Sequence, residues 1–184
     1  EITQENIYID IGGAALGNPW MDPKNQYDAN EIAYGLGIIN SGQKNYLMQK
    51  KQQCQKSLNS GKLNNRVCFD LLDEVIDATH VKGMNTKMLM YDARKSISNP
   101  ASFPPGHEDV ERYMNQRDVR KAIHAEASPQ RFVECADPPY DALAQQDGKG
   151  STKELAEMLD ANVQTLVYSG QYDLICNHIG TETT

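Results

Sequence analysis

The chain has 184 residues, 39% hydrophobic and 23% charged, a balance that fits a globular domain with a real core and excludes disorder. Its formal net charge of −7 argues against a sequence-independent grip on nucleic acid and against electrostatic docking on anionic lipid. No apolar run approaches the length of a membrane span.

The first expected element is a strand over Asn6–Leu16. Ile7, Ile9 and Ile11 alternate with Tyr8 and Asp10, and Gly12-Gly13-Ala14-Ala15-Leu16 continues in small residues until Pro19, which cannot donate to a ladder. Gly12-Gly13 belongs to neither a Gly-x-Gly-x-x-Gly nor a Gly-x-x-x-x-Gly-Lys pattern, so a phosphate loop is not supported. Ala29, Ile32, Ala33 and Leu36 then form one apolar helical stripe. Asn40-Ser41-Gly42 breaks it, and Ser41 is the expected cap of a helix running to about Leu58. Lys44, Lys50, Lys51 and Lys56 of that helix read as a solvated face. A third helix spans about Asn65 to Thr79, with Cys68, Leu71, Leu72, Val75 and Thr79 on its buried side.

Lys87–Met90 reads as a short strand, and the proline-rich stretch Ser96–Gly106 as a loop. Helices are expected over Glu108–Met114 and Asp118–Ala125, the second capped by Asn115. Asp137-Pro138-Pro139 and Asp147-Gly148-Lys149-Gly150 read as turns. Ser151 then caps a helix over Lys153–Asp160 that turns Leu155, Met158 and Leu159 inward. Last comes Val163-Gln164-Thr165-Leu166-Val167-Tyr168, a β-branched run that breaks at Gly170 and delivers Asp173. An acid just past the end of a buried parallel strand is where open α/β sheets keep their active sites. Two parallel strands joined by so long a connection imply a helical insertion seated on an α/β sheet.

The cysteines are Cys54, Cys68, Cys135 and Cys176, with no Cys-x-x-Cys spacing that would suggest zinc. Cys54 and Cys68 sit at the edges of two expected helices joined by the turn Asn59-Ser60-Gly61; they form a disulfide or face one another as buried thiols. Cys176 lies close to Asp173 in sequence without an obvious neighbouring base. No Gly-x-Ser-x-Gly elbow occurs, and serines such as Ser41, Ser151 and Ser169 sit in caps and loops. His80, His107, His124 and His178 share no metal-binding spacing and read as structural or surface residues. His178 is too near Asp173 in chain to be the base that follows the acid in a Ser, Asp, His order.

Five blocks, in order, resemble the serine carboxypeptidases, a family of α/β hydrolases. Ala15-Leu16-Gly17-Asn18-Pro19-Trp20-Met21-Asp22-Pro23 is similar to the family's Gly-Asn-Gly strand end followed by Asp-Pro, with Pro19 replacing the commoner glycine. Tyr34-Gly35-Leu36-Gly37-Ile38-Ile39 resembles its Tyr-x-x-Gly-Leu-Ile helix, and Tyr91-Asp92-Ala93-Arg94 its Tyr-Asp-x-Arg. The run from Tyr113 to His124 resembles Tyr-Leu-Asn-x-Pro-x-Val-x-x-Ala-Leu-His, with Arg117 in place of the proline. Leu166–Gly180 matches the block around the triad acid.

The resemblance implies a partial α/β-hydrolase sheet with a helical cap insertion. Residues 1–21 would be a core strand, 22–150 the mainly helical cap, and 151–184 the helix, strand and acid-bearing turn of the core. It implies that Asp173 is the triad acid and that Cys176 is a free thiol in the substrate pocket. It places Cys54 and Cys68 in the cap, where the family has bridges, and pairs Cys135 with a cysteine preceding Glu1. The nucleophilic serine would precede this stretch and the histidine follow it, so these residues alone are expected to be inactive. The implied activity is removal of C-terminal residues from peptides or proteins, without metal or organic cofactor, in the secretory pathway, a vacuole or lysosome, or outside the cell. Two alternatives share the pattern: an acyltransferase of the same fold, and a non-catalytic hydrolase-like binding protein.

Overall fold

The computed structural model describes residues 11–80, 83, 85–98 and 106–184. Two short strands, β1 (Ala14–Gly17) and β4 (Thr165–Tyr168), pair in parallel with Ala14 opposite Thr165 and Gly17 opposite Tyr168. Every other helix and strand lies between or after them. The helices are α1 (Pro23–Gln26), α2 (Asn30–Gly35), α3 (Ser41–Asn59), α4 (Arg66–Ala78), α5 (His107–Met114), α6 (Arg117–Ala122), α7 (Asp137–Leu143), α8 (Thr152–Asp160) and α9 (His178–Glu182). An antiparallel hairpin, β2 (Lys87–Leu89) and β3 (Asp92–Ile97), sits within the helical part.

The core lies where α2, α3 and α4 pack together, and Leu174 from the acid-bearing turn joins it. α4 carries a strong apolar stripe: Cys68, Leu71, Val75 and Ile76 are buried. Ile76 extends that face beyond the expected set, while Leu72 is only packed against its margin. Asn65 caps α4 by accepting from the Val67 N–H at 3.0 Å. Asn40, not Ser41, caps α3. Its side chain accepts from Gln43 N–H at 3.0 Å, and the Gln43 side chain accepts from Asn40 N–H at 2.9 Å, a reciprocal capping box. The lysines of α3 are not simply solvated: Lys44 pairs with Glu31, Lys50 with Glu74 and Lys51 with Asp28.

Several expectations need correction. Of the strand expected over Asn6–Leu16, the described residues form one from Ala14 to Gly17, and residues 6–10 lie outside the described residues. β4 is parallel but not buried: Leu166, Val167 and Tyr168 are exposed, because the described residues put no further layer on this two-stranded pair. Leu159 on α8 and Leu36 after α2 are also exposed. Asp137-Pro138-Pro139 opens helix α7 instead of ending in a turn, since proline costs nothing in a first helical turn whose N–H groups lack partners anyway. Asn115 does not cap α6. It ends α5, and its side chain grips the Phe132 backbone, accepting from N–H at 2.9 Å and donating to the carbonyl at 2.8 Å. β3 is polar (Asp92-Ala93-Arg94-Lys95-Ser96-Ile97), which is why its sequence does not announce it. The loop read over Ser96–Gly106 falls mostly outside the described residues.

Cys54 and Cys68 are joined by a disulfide across the α3–α4 interface, and both are buried. The loop they close, with a sequence separation of 14, should contribute about 3 kcal/mol by restricting the unfolded chain. Replacing both cysteines by alanine should therefore lower the unfolding free energy by about that amount in urea titrations. An unchanged midpoint would show that the helix pair holds without the bond.

Candidate functional site

Asp173 is placed by three neighbours at once. β4 carries the chain to the carboxyl end of the parallel pair, and the turn closes with Asp173 N–H donating to Gly170 O at 3.3 Å. The β2–β3 hairpin fixes both sides of the acid: Ala93 N–H donates to Tyr172 O at 2.8 Å, and Leu174 N–H donates to Met90 O at 2.9 Å. The Arg94 guanidinium, held by Asp92, lies 4.6 Å over the Tyr172 ring. Leu174 is fully buried, so the turn is anchored in the core beside the acid.

Asp173 is 8% exposed. Its Oδ2 accepts from Asn18 Nδ2 at 2.6 Å, and its Oδ1 accepts from the N–H groups of Ile175 at 2.9 Å and Cys176 at 3.0 Å. Burial raises its pKa above the ordinary carboxylate value. The N–H of Cys176, the Asn18 amide and the N–H of Ile175 pull it back, and the net direction is upward. A carboxylate offers about four lone-pair sites. Three donors leave room for one more on Oδ2.

Two buried amides hold the surrounding loops together. Asn177 is fully buried and caps α9, accepting from Gly180 N–H at 2.9 Å while donating to Asp28 O at 3.2 Å. Gln26, also buried, accepts from Met21 N–H at 2.6 Å and Asp22 N–H at 2.7 Å, and donates to Pro19 O at 2.6 Å. α9 can approach α1 because Gly180 has no side chain: a Cβ there would sit 3.1 Å from the Gln26 Cα. Sequence reasoning missed both amides. A lone Asn or Gln carries no periodic signal, and only the fold brings the loops to them.

Against the turn that follows the acid lies a cavity of about 440 Å³. Trp20, Tyr27, Phe69, Leu72, Leu174 and Cys176 contribute to its wall. Trp20 and Tyr27 meet edge to face at 4.9 Å between ring centroids, and Tyr27 and Phe69 at 5.9 Å. Tyr27 donates its hydroxyl to Asp147 at 2.6 Å, and burial together with that bond raises its pKa. Asp147 also borders a larger, more open groove of about 750 Å³ that includes Cys135. The smaller cavity is the one that reaches the acid-bearing turn. Cys135 is an exposed free thiol and Cys176 a half-buried one.

The histidines lie at element ends. His80 follows α4, His107 opens α5, His124 follows α6 in a left-handed conformation with φ 58°, and His178 opens α9. Among the described residues, no group of three His, Cys, Asp or Glu side chains is arranged to hold a metal ion, and no helix is long and apolar enough to cross a membrane.

A family model described as serine carboxypeptidase matches residues 1–184. The chain belongs to the serine carboxypeptidase family. It is 31% identical over 180 residues to a protein of Phytophthora infestans named pheromone-processing carboxypeptidase KEX1, covering 97% of this chain and 30% of that protein. It is 34% identical over 187 residues to serine carboxypeptidase S10 family member 2 of Dictyostelium discoideum, covering 98% of this chain and 32% of that one. The crystal structure of the Saccharomyces cerevisiae prohormone-processing carboxypeptidase Kex1Δp superposes with a TM-score of 0.77 at 21% identity, over 98% of this chain and 41% of that chain. That likeness shows the fold, α/β hydrolase with a partial sheet. The chain spans about 30% of the length of the curated relatives it matches.

Burial, and then the charge of Asp173, push the Cys176 thiol up to about 11. Its alkylation by iodoacetamide should accelerate only as pH approaches that value. Asp173→Asn should move the inflection downward, because a negative neighbour is lost. A Cys176 labelling rate that titrates near the ordinary thiol range, unaffected by Asp173→Asn, would contradict this electrostatic influence.

Proposed function

We propose that the protein carrying this chain is a serine-type carboxypeptidase that releases single residues from the C-termini of peptides or proteins through an acyl-enzyme. Asp173 acts as the acid of its Ser/Asp/His triad. The observation that carries this reading is the Asp173 carboxylate: buried at the carboxyl end of a parallel strand, gripped by three donors, with one acceptor site left on Oδ2.

An acid so placed can accept the ring N–H of a histidine, fix its tautomer and stabilise the imidazolium that forms when the serine attacks. The 184 residues contain no Gly-x-Ser-x-Gly elbow. The serine is therefore assigned to sequence outside this stretch, and the histidine likewise. These residues alone would not hydrolyse peptides. The cavity with Cys176 in its wall is suited to the side chain beside the scissile bond, being mostly apolar and lined by Leu174, Ile175 and Cys176, which directly follow the acid.

The division into a core strand (1–21), a mainly helical cap (22–150) and a second core segment (151–184) is supported by the β1–β4 pairing, with α1–α7 and the hairpin between them. Cys135 is proposed to bond a cysteine outside this stretch, and its exposure leaves the sulfur accessible. The Cys54–Cys68 bond favours an oxidising compartment, hence the secretory pathway and its vacuolar, lysosomal or extracellular destinations.

In the whole protein, Asp173→Asn should cut kcat by about 10⁴-fold with the fold intact, following the serine-protease precedent. Turnover of a C-terminally blocked-free peptide within a few-fold of wild type would remove Asp173 from the mechanism.

A further inference from the structure

We propose that Asn18 is a positioning residue for Asp173, holding the carboxylate in its ionised, imidazole-facing orientation; this rests on reading Asp173 as the triad acid. Asn18 directly follows β1, and its backbone N–H donates to Tyr168 O at 2.7 Å, so it is locked to the same strand end that delivers the acid. Its side chain then spans the turn. Oδ1 accepts from Gly170 N–H at 3.3 Å while Nδ2 donates to Asp173 Oδ2 at 2.6 Å. One amide thus ties the start of the turn to its functional end.

The other two donors, Ile175 and Cys176, are backbone groups on Oδ1 and belong to the acid's own loop. Asn18 is the one side chain bonded to the carboxylate among the described residues, and it holds the oxygen that has acceptor capacity left. A neutral donor suits that place. It stabilises the negative charge without neutralising it, and it cannot compete for the proton that the triad moves.

The backbone of Asn18 decides which substitution tests this. Its φ is +45°, in the left-handed region that asparagine tolerates better than most residues, as Asn64 and Asn162 also do in this chain, and it precedes Pro19, whose ring further restricts the residue before it. Glycine would adopt this conformation at least cost.

The experiment uses the whole protein and three variants. Asn18→Gly keeps the left-handed backbone and deletes the amide. Its melting temperature should stay within a few degrees of wild type, while kcat falls roughly 10- to 100-fold, as for a lost hydrogen bond to a charge, and KM changes less than about twofold. The acid limb of its pH–rate profile should move to higher pH, because a carboxylate with one donor fewer takes up a proton more readily. Asn18→Asp keeps the shape but sets two carboxylates together. It should lose most activity near neutral pH and regain part of it towards acid, where a shared proton restores the donor. Asp173→Asn is the control. Wild-type kcat and pH profile in Asn18→Gly, with Asp173→Asn inactive, would overturn the inference and leave Asn18 a backbone element. If Asn18→Gly does not fold, an Asn18→Asp profile parallel to wild type overturns it equally. Full activity of Asp173→Asn would instead remove the triad reading itself.

Discussion

Taking the Asp173 carboxylate out of water raises the energy of its charged form, and the loops around it are arranged to supply what water no longer does. Two backbone N–H groups come from the turn that follows the acid, and one amide comes from the far end of β1. The compensation is incomplete, since the net pKa direction remains upward. An acid whose pKa is raised by folding lowers stability while it is ionised, and that cost disappears as pH falls through the folded value. A buried charge retained against that cost is the kind of local strain found at functional sites.

The rest of the molecule can be understood as support for that placement. β1 and β4 meet although residues 18–164 separate them, so the helical layer has to return the chain in register. The disulfide joins α3 to α4, the capping box sets the entry of α3, and the buried amides of Gln26 and Asn177 fasten the first loop and the last helix to α1 and its neighbours. The β2–β3 hairpin then brackets the acid on both sides through Tyr172 and Leu174. The cavity walled by Trp20, Tyr27, Phe69 and Cys176 lies where these supports converge.

Much of the helical layer was legible in the sequence because local rules govern it. α4 has a 3.6-residue apolar stripe and an Asn cap, and β4 has a β-branched run ending in glycine. What stayed hidden is set by tertiary contact. β3 is polar because its partner and the acid turn, rather than an apolar face, hold it; α7 starts with prolines that a turn would also favour; Asn115 reaches a loop seventeen residues away instead of capping the next helix. The site itself divides in the same way. Asp173 stood out from its strand–turn–acid pattern, whereas its bond to Asn18 joins residues 155 apart and has no local signature. The exposure of Leu166 and Tyr168 was likewise unreadable, since it depends on which layers cover the strand pair.

The central claim is that the open acceptor site on Asp173 faces the base of a catalytic triad. Its most direct test is a crystal structure of the whole protein with a phosphonate bound to its nucleophile. The account predicts an imidazole nitrogen within about 2.7–2.9 Å of Asp173 Oδ2, with the Asn18 bond intact. A base histidine lying out of hydrogen-bond reach, with the Asp173 carboxylate turned to water or to another partner, would contradict it.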